Sequence, residues 1–206
     1  MKKLLLISLV IFFAISSKSW ALPECEGSPL KANNFPAHWT DCIGIIRPVA
    51  VEGGEMGGVI KNGIINGKGY FDSPKMRSEG IWEDGMLING ILNLKGKVIY
   101  IGDFSKETGL WHGYGTLFDM DGSISQGEFN NGQKHGYGTY FNMDGSISLG
   151  EFNNGKMADG MAIFYDASGS SVGFIKNGNF TNERRKFYKK GENPIPRPIK
   201  PILEIE

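Results

Sequence analysis

Cysteine and histidine are scarce in this chain. Two cysteines and three histidines occur in 206 residues. There is no Cys-x-x-Cys, and no second Cys or His pair at the spacing a zinc site needs. The last histidine is His135, so no imidazole follows Ser171. Ser171 sits in Gly169-Ser170-Ser171-Val172-Gly173, which matches Gly-x-Ser-x-Gly. That elbow needs a strand–turn–helix setting and an acid and a histidine later in the chain. A hydrolase using Ser171 is therefore only a remote alternative, and no catalytic residue, cofactor or metal is expected.

Excess charge is also lacking. Lys and Arg number 22, as do Asp and Glu. The balance is uneven: residues 22–180 hold 12 basic and 18 acidic residues, and residues 181–206 hold 7 and 4. An acidic body has the wrong sign for nucleic acid. Long apolar runs are absent except at the start. Lys2 and Lys3 precede Leu4–Ile15, and a polar stretch ends in Ser19-Trp20-Ala21. A run of about twelve apolar residues is short for a bilayer span. Residues 1–21 read as a signal peptide. The mature protein is then periplasmic, extracellular or on the cell surface. In an exported chain the lone pair Cys25 and Cys42 forms a disulfide. Closing that loop is worth about 3 kcal/mol. With Pro23, Pro29 and Pro36, residues 22–42 read as a stapled cap, since a repeat array needs its outer ends covered.

Glycine, with 30 residues, and repetition are abundant. His112–Gln133 and His135–Lys156 are identical at 18 of 22 positions, at a shift of 23 residues. A fixed period of that size marks a stacked array. Gly-x-(large apolar) recurs as Gly58-x-Ile60, Gly80-x-Trp82, Gly102-x-Phe104, Gly127-x-Phe129, Gly150-x-Phe152 and Gly173-x-Ile175. Turn signals follow at Asn62-Gly63, Asp84-Gly85, Asn131-Gly132, Asn154-Gly155 and Asn177-Gly178. A second turn falls at Asp121-Gly122 and Asp144-Gly145, and in weaker form at Ser168-Gly169. Two turns per 23 residues leave two strands of ordinary length. The glycines are too dense for helices. The expectation is all-β: β-hairpins over residues 43–180 forming one elongated, twisted antiparallel sheet. Trp82, Phe104, Phe129 and Phe152 should stack as a ridge beside a glycine column. His112 and His135 are expected as water-facing turn residues. Part of Asn182–Lys190 reads as a short helix.

Tyr100-Ile101-Gly102-Asp103-Phe104 and Gly127-Glu128-Phe129-Asn130-Asn131-Gly132-Gln133-Lys134-His135-Gly136-Tyr137-Gly138-Thr139, with Asp144-Gly145 following, resemble the MORN repeat. The resemblance spans roughly residues 43–180. It implies a ladder of hairpins used as a scaffold, and some members associate with membranes or lipids. The spacing of Cys25, Trp39, Cys42 and Gly44 is similar to exported bacterial proteins of this type. The leading Tyr of the pattern appears only as Tyr100, with Ser78, Ser125, Ser148 and Ser171 at the matching positions.

The expected function is a non-catalytic exported scaffold contacting a protein or envelope component. The candidate surface is an acidic column of Asp103, Glu128 and Glu151 opposite the rings, and the longer loop around Trp111. A basic segment, Arg184, Arg185, Lys186, Lys189 and Lys190, opens a Pro-containing tail over residues 181–206. Its alternative role is association with an anionic membrane surface.

Overall fold

The computed structural model describes residues 21–177, 179–181 and 186–190. Residues 1–20, which fall in the expected signal peptide, Arg184, Arg185 and the proline-rich stretch 194–201 lie outside the described residues. All described regular structure is β, in one 15-stranded sheet. Its first ten strands are β1 (Cys42–Ile46), β2 (Glu55–Lys61), β3 (Ile64–Asp72), β4 (Met76–Glu83), β5 (Met86–Leu94), β6 (Lys97–Phe104), β7 (Trp111–Phe118), β8 (Ile124–Asn130), β9 (Gln133–Phe141) and β10 (Ile147–Asn153). They neighbour one another in chain order. The final unit is broken into β11 (Lys156–Met157), β12 (Gly160–Tyr165), β13 (Gly169–Lys176), β14 (Asn179–Phe180) and β15 (Lys186–Lys189). Every pairing between strands is antiparallel, as the hairpin reading expects.

Two turn types alternate, and each follows from its residues. Asn131 and Gly132 have φ of 48° and 79°, and Asn154 and Gly155 repeat this at 49° and 80°. Paired positive φ is the tight hairpin geometry that Asn-Gly favours. Lys95-Gly96 has it too, at 50° and 77°. The other turn spans Asp119–Ser123. There Gly122 N–H donates to Asp119 O at 3.0 Å. Asp121 Oδ1 accepts from Ser123 N at 2.8 Å. Asp144 does the same for Ser146 at 2.8 Å.

A glycine ladder crosses the sheet. Gly44, Gly58, Gly69, Gly80, Gly90, Gly102, Gly115, Gly127, Gly138 and Gly150 stand directly opposite one another, one on each of β1 to β10. The missing side chains leave a floor on which rings lie. A Cβ on Gly115 would collide with the Tyr100 ring and hydroxyl. Trp82, Phe104, Phe129 and Phe152 are all buried; Phe104 and Phe129 meet through the Tyr100 ring, whereas Trp82 packs in the cluster around Trp39.

Beside the ladder runs a row of alternating large and small residues. Its order is Phe71, Ser78, Leu92, Tyr100, Leu117, Ser125, Tyr140, Ser148, Phe164, Ser171 and Phe187. Each serine has a ring on at least one side, whereas Tyr100 lies between two leucines. Volume is thus conserved across neighbouring strands, as close packing requires. The ring that is missing at Ser125 has moved one strand over, to Tyr140.

The sheet ends are covered differently. Cys25 and Cys42 are joined in a disulfide, as expected. The segment before β1 runs along its free edge. Cys25 N donates to Ile43 O at 2.9 Å, Ile43 N to Pro23 O at 2.7 Å, Leu30 N to Ile45 O at 2.9 Å and Arg47 N to Leu30 O at 2.8 Å. Trp39, 2% exposed, packs with Cys25, Cys42, Ile46, Ile60 and Ile65. At the far end β13 carries two short neighbours. β14 pairs with its last residues and β15 with its first. The short-helix expectation for Asn182–Lys190 is corrected here for the residues described: Lys186–Lys189 is a strand. The edge of β13, available for pairing, outweighs helix propensity. Lys186 and Lys189 are therefore part of the sheet, not of a free tail.

Candidate binding face

Side chains alternate across a strand, so the face opposite the rings is set by the same register. Asp103, Glu128 and Glu151 stand on it beside Phe104, Phe129 and Phe152. Their setting is a bulge that the Gly-x-Phe pattern creates. Between Gly102 and Phe104 the pairing with β7 shifts, and between Gly127 and Phe129 the pairing with β9 shifts likewise. Three residues, His112-Gly113-Tyr114 or His135-Gly136-Tyr137, then face a single acid. Gly113 and Gly136 take the turn in left-handed conformation, with φ of 62° and 57°. The bulge removes a ladder partner from the next N–H, and the acid replaces it. Tyr114 N donates to Asp103 Oδ2 at 3.0 Å, and Tyr137 N to Glu128 Oε1 at 3.2 Å. Asp103 also accepts from Asn89 Nδ2 at 2.7 Å, and Glu128 from the Tyr114 hydroxyl at 3.3 Å. Two members of the acidic column thus complete the backbone. Glu151 is exposed and faces the break between β11 and β12.

Both histidines lie inside strands, which corrects the turn expectation. The bulge carries them: extra residues were absorbed by the strand instead of by the loop. His112 is exposed, while His135 is half-buried with its Nδ1 unpartnered. Trp111 is likewise not in the loop but opens β7. Its ring stacks on Tyr100 at 5.2 Å and 15°, and meets Phe129 edge-on at 6.3 Å. Lys134, one period later, replaces it. Its ammonium sits 3.9 Å above the Tyr140 ring, and burial pulls its pKa below the ordinary lysine value. Ser171 is buried in the middle of β13, facing Phe164 and Phe187. Gly169–Gly173 is one continuous strand segment, so the elbow geometry does not form there.

What remains open on this face is a trough. Tyr114 and Tyr137 are 64% and 69% exposed. Thr116, Gln126 and Thr139 stand directly opposite one another on β7, β8 and β9. A cavity of about 440 Å3 is lined by Ile101, Tyr114, Thr116 and Gln126. A second, of about 660 Å3, shares Ile101 and extends to Glu79, Ile91, Arg77 and Lys95. Ile124, Phe141, Ile147 and Tyr165 form an apolar cluster of their own. Sequence reading placed the core on the ring face alone. The signal for this second cluster was the apolar residue at each end of the Asp-Gly turns. Of the basic segment, Lys186, Lys189 and Lys190 are described and exposed, at the far end of the sheet.

The MORN repeat family model matches residues 100–124 and 126–147. This chain is a MORN repeat-containing protein. The two matched MORN units cover β6 from Tyr100, β7, β8 except Ser125, β9 and the first residue of β10, and so hold both bulges, both exposed tyrosines and the Thr116–Gln126–Thr139 row. No curated protein matches the chain. Among the described residues no group of three His, Cys, Asp or Glu side chains is placed to hold a metal ion.

Proposed function

We propose that the protein is an exported, non-catalytic MORN scaffold whose uncovered sheet face binds a component of the cell envelope. The observation that carries this reading is the open face on which Tyr114 and Tyr137 stand exposed. Exposed rings on a rigid sheet cost little entropy to immobilise, and they mark contact surfaces. MORN repeats generally serve as binding units for proteins or membranes. The Cys25–Cys42 disulfide supports an oxidising compartment, in keeping with the signal-like residues 1–21. Oxidised mature protein immobilised on a resin and exposed to native envelope fractions tests the proposal. Specific retention of a component above a resin carrying a scrambled sheet protein is expected. No retention would sink the scaffold reading.

A second reading has its own support in β15. Lys186, Lys189 and Lys190 are exposed beside Phe187, which is 53% exposed. Cations flanking an exposed ring suit an anionic bilayer surface. Co-sedimentation with anionic but not neutral vesicles, lost on Lys186→Glu with Lys189→Glu, would move the function to the membrane.

A further inference from the structure

We infer that the open face carrying Tyr114 and Tyr137 is a binding site for an extended, neutral glycan chain. The inference rests on the scaffold reading and names the class of its ligand. Three features of the face point the same way.

The first is which polar groups are already engaged. Asp103 and Glu128 accept backbone N–H groups at the two bulges. Asp103 is engaged through both oxygens and Glu128 through Oε1, so each acid already has partners in the fold. Thr116, Gln126 and Thr139 make no side-chain hydrogen bond within the described protein, and none is charged. One hydroxyl, one amide and a second hydroxyl in register offer donors and acceptors together. That is the complement of sugar hydroxyls, which both donate and accept.

The second is ring spacing. Tyr114 is on β7 and Tyr137 on β9, with β8 between them. Two strand steps of ~4.8 Å separate the rings by roughly 10 Å. In an extended equatorially linked glycan, alternate sugars present the same ring face at nearly that repeat. Two sugars of one chain therefore meet two tyrosines while the sugar between them lies over Glu128, with Gln126 in the adjacent row. A strand of peptide repeats at about 7 Å for every second side chain and falls out of step.

The third is charge. The line of the two rings carries Asp103, Glu128 and Glu151, and none of the three lies in a salt bridge among the described residues. These carboxylates repel an anionic polymer or headgroup, and the row beside them is uncharged. A neutral chain fits both.

Calorimetric titration of the full mature protein with cello- and chito-oligosaccharides of increasing length tests the site, with oligolysine as the competing class. Affinity is expected to rise until a chain bridges both rings. Tyr114→Ala with Tyr137→Ala should weaken it by about tenfold or more, and Thr116→Val by a few-fold. These side chains lie at the surface, so unchanged circular dichroism and melting show that the variants fold. Absence of binding by every oligosaccharide overturns the inference, as does binding indifferent to both tyrosines. Tyrosine-dependent binding of oligolysine in place of sugar also overturns it. If envelope capture persists while no sugar binds, the glycan inference falls and the scaffold reading stands.

Discussion

Converting the second MORN unit to the chemistry of the first tests the packing logic most directly. Tyr100, Trp111 and Leu117 in one unit correspond in space to Ser125, Lys134 and Tyr140 in the next. Ser125 is 1% exposed, with Leu117 on one side and Tyr140 on the other. Ser125→Tyr alone inserts a ring where Tyr140 already fills the volume. Overpacking of a close-packed row costs typically ~1–3 kcal/mol. For a chain of this size 2 kcal/mol is roughly 4–8 °C in Tm, at ~2–4 °C per kcal/mol. Adding Lys134→Trp and Tyr140→Leu rebuilds the Tyr100 arrangement, stacked ring included. The triple variant should recover to within about 1 kcal/mol of wild type, and the cycle should show strong coupling between positions 125 and 140. Thermal and urea unfolding followed by tyrosine and tryptophan fluorescence would measure it. If Ser125→Tyr is as stable as wild type, or the triple variant no better than the single, the volume exchange between strands is refuted.

The bulge acids give a second test. Glu128→Leu leaves the Tyr137 N–H without its acceptor and should cost about 1 kcal/mol, while Glu128→Gln, which keeps an oxygen there, should cost less. Equal losses in urea unfolding would contradict the acceptor role. Ser125 Oγ is buried without a partner, so Ser125→Ala should raise stability by up to about 1 kcal/mol in the same assay. On pH, hydrogen bonds from Ser123 and Ser146 hold Asp121 and Asp144 below the ordinary value of 3.8. A depressed folded pKa adds stability above 3.8 that is lost as pH falls through the folded value. NMR titration of the two carboxyls should therefore give midpoints below 3.8. Burial and the hydrogen bond to Glu55 push Tyr70 up to about 12. A raised folded pKa gives stability that is complete below pH 10.0 and lost as pH rises toward 12. Alkaline unfolding should be milder in Tyr70→Phe, as read by circular dichroism.

Much of the fold was legible because turns and glycines are local signals. Asn131-Gly132 and Asp121-Gly122 name their turns without help from the rest of the chain. Lys95-Gly96 was missed because lysine is an uncommon choice for a positive-φ position, and only Gly96 hinted at it. The site was less legible. Asp103 and Glu128 looked like surplus charge because the bulge that employs them depends on Gly113 and Gly136 on the facing strand. Trp111 looked like a loop residue because its partner, Tyr100, is named only by register. The serines at 78, 125, 148 and 171 read as lost rings along the chain. Across the sheet they are small residues making room for rings on the next strand. Periodicity in one dimension cannot show a conserved volume that spans two strands.

The glycine ladder has a consequence for length. Strands of successive hairpins pair without register shift at β3–β4, β7–β8 and β9–β10. These three junctions share one register, while the β5–β6 junction departs from it between Leu92 and Asn93. Copying or excising one 23-residue unit leaves both ends intact and changes the reach by about 10 Å, two strand steps. The molecule is in this sense a ruler graduated in hairpins, and recombination within the gene can reset its span where the copied unit keeps the match of large and small residues across each junction.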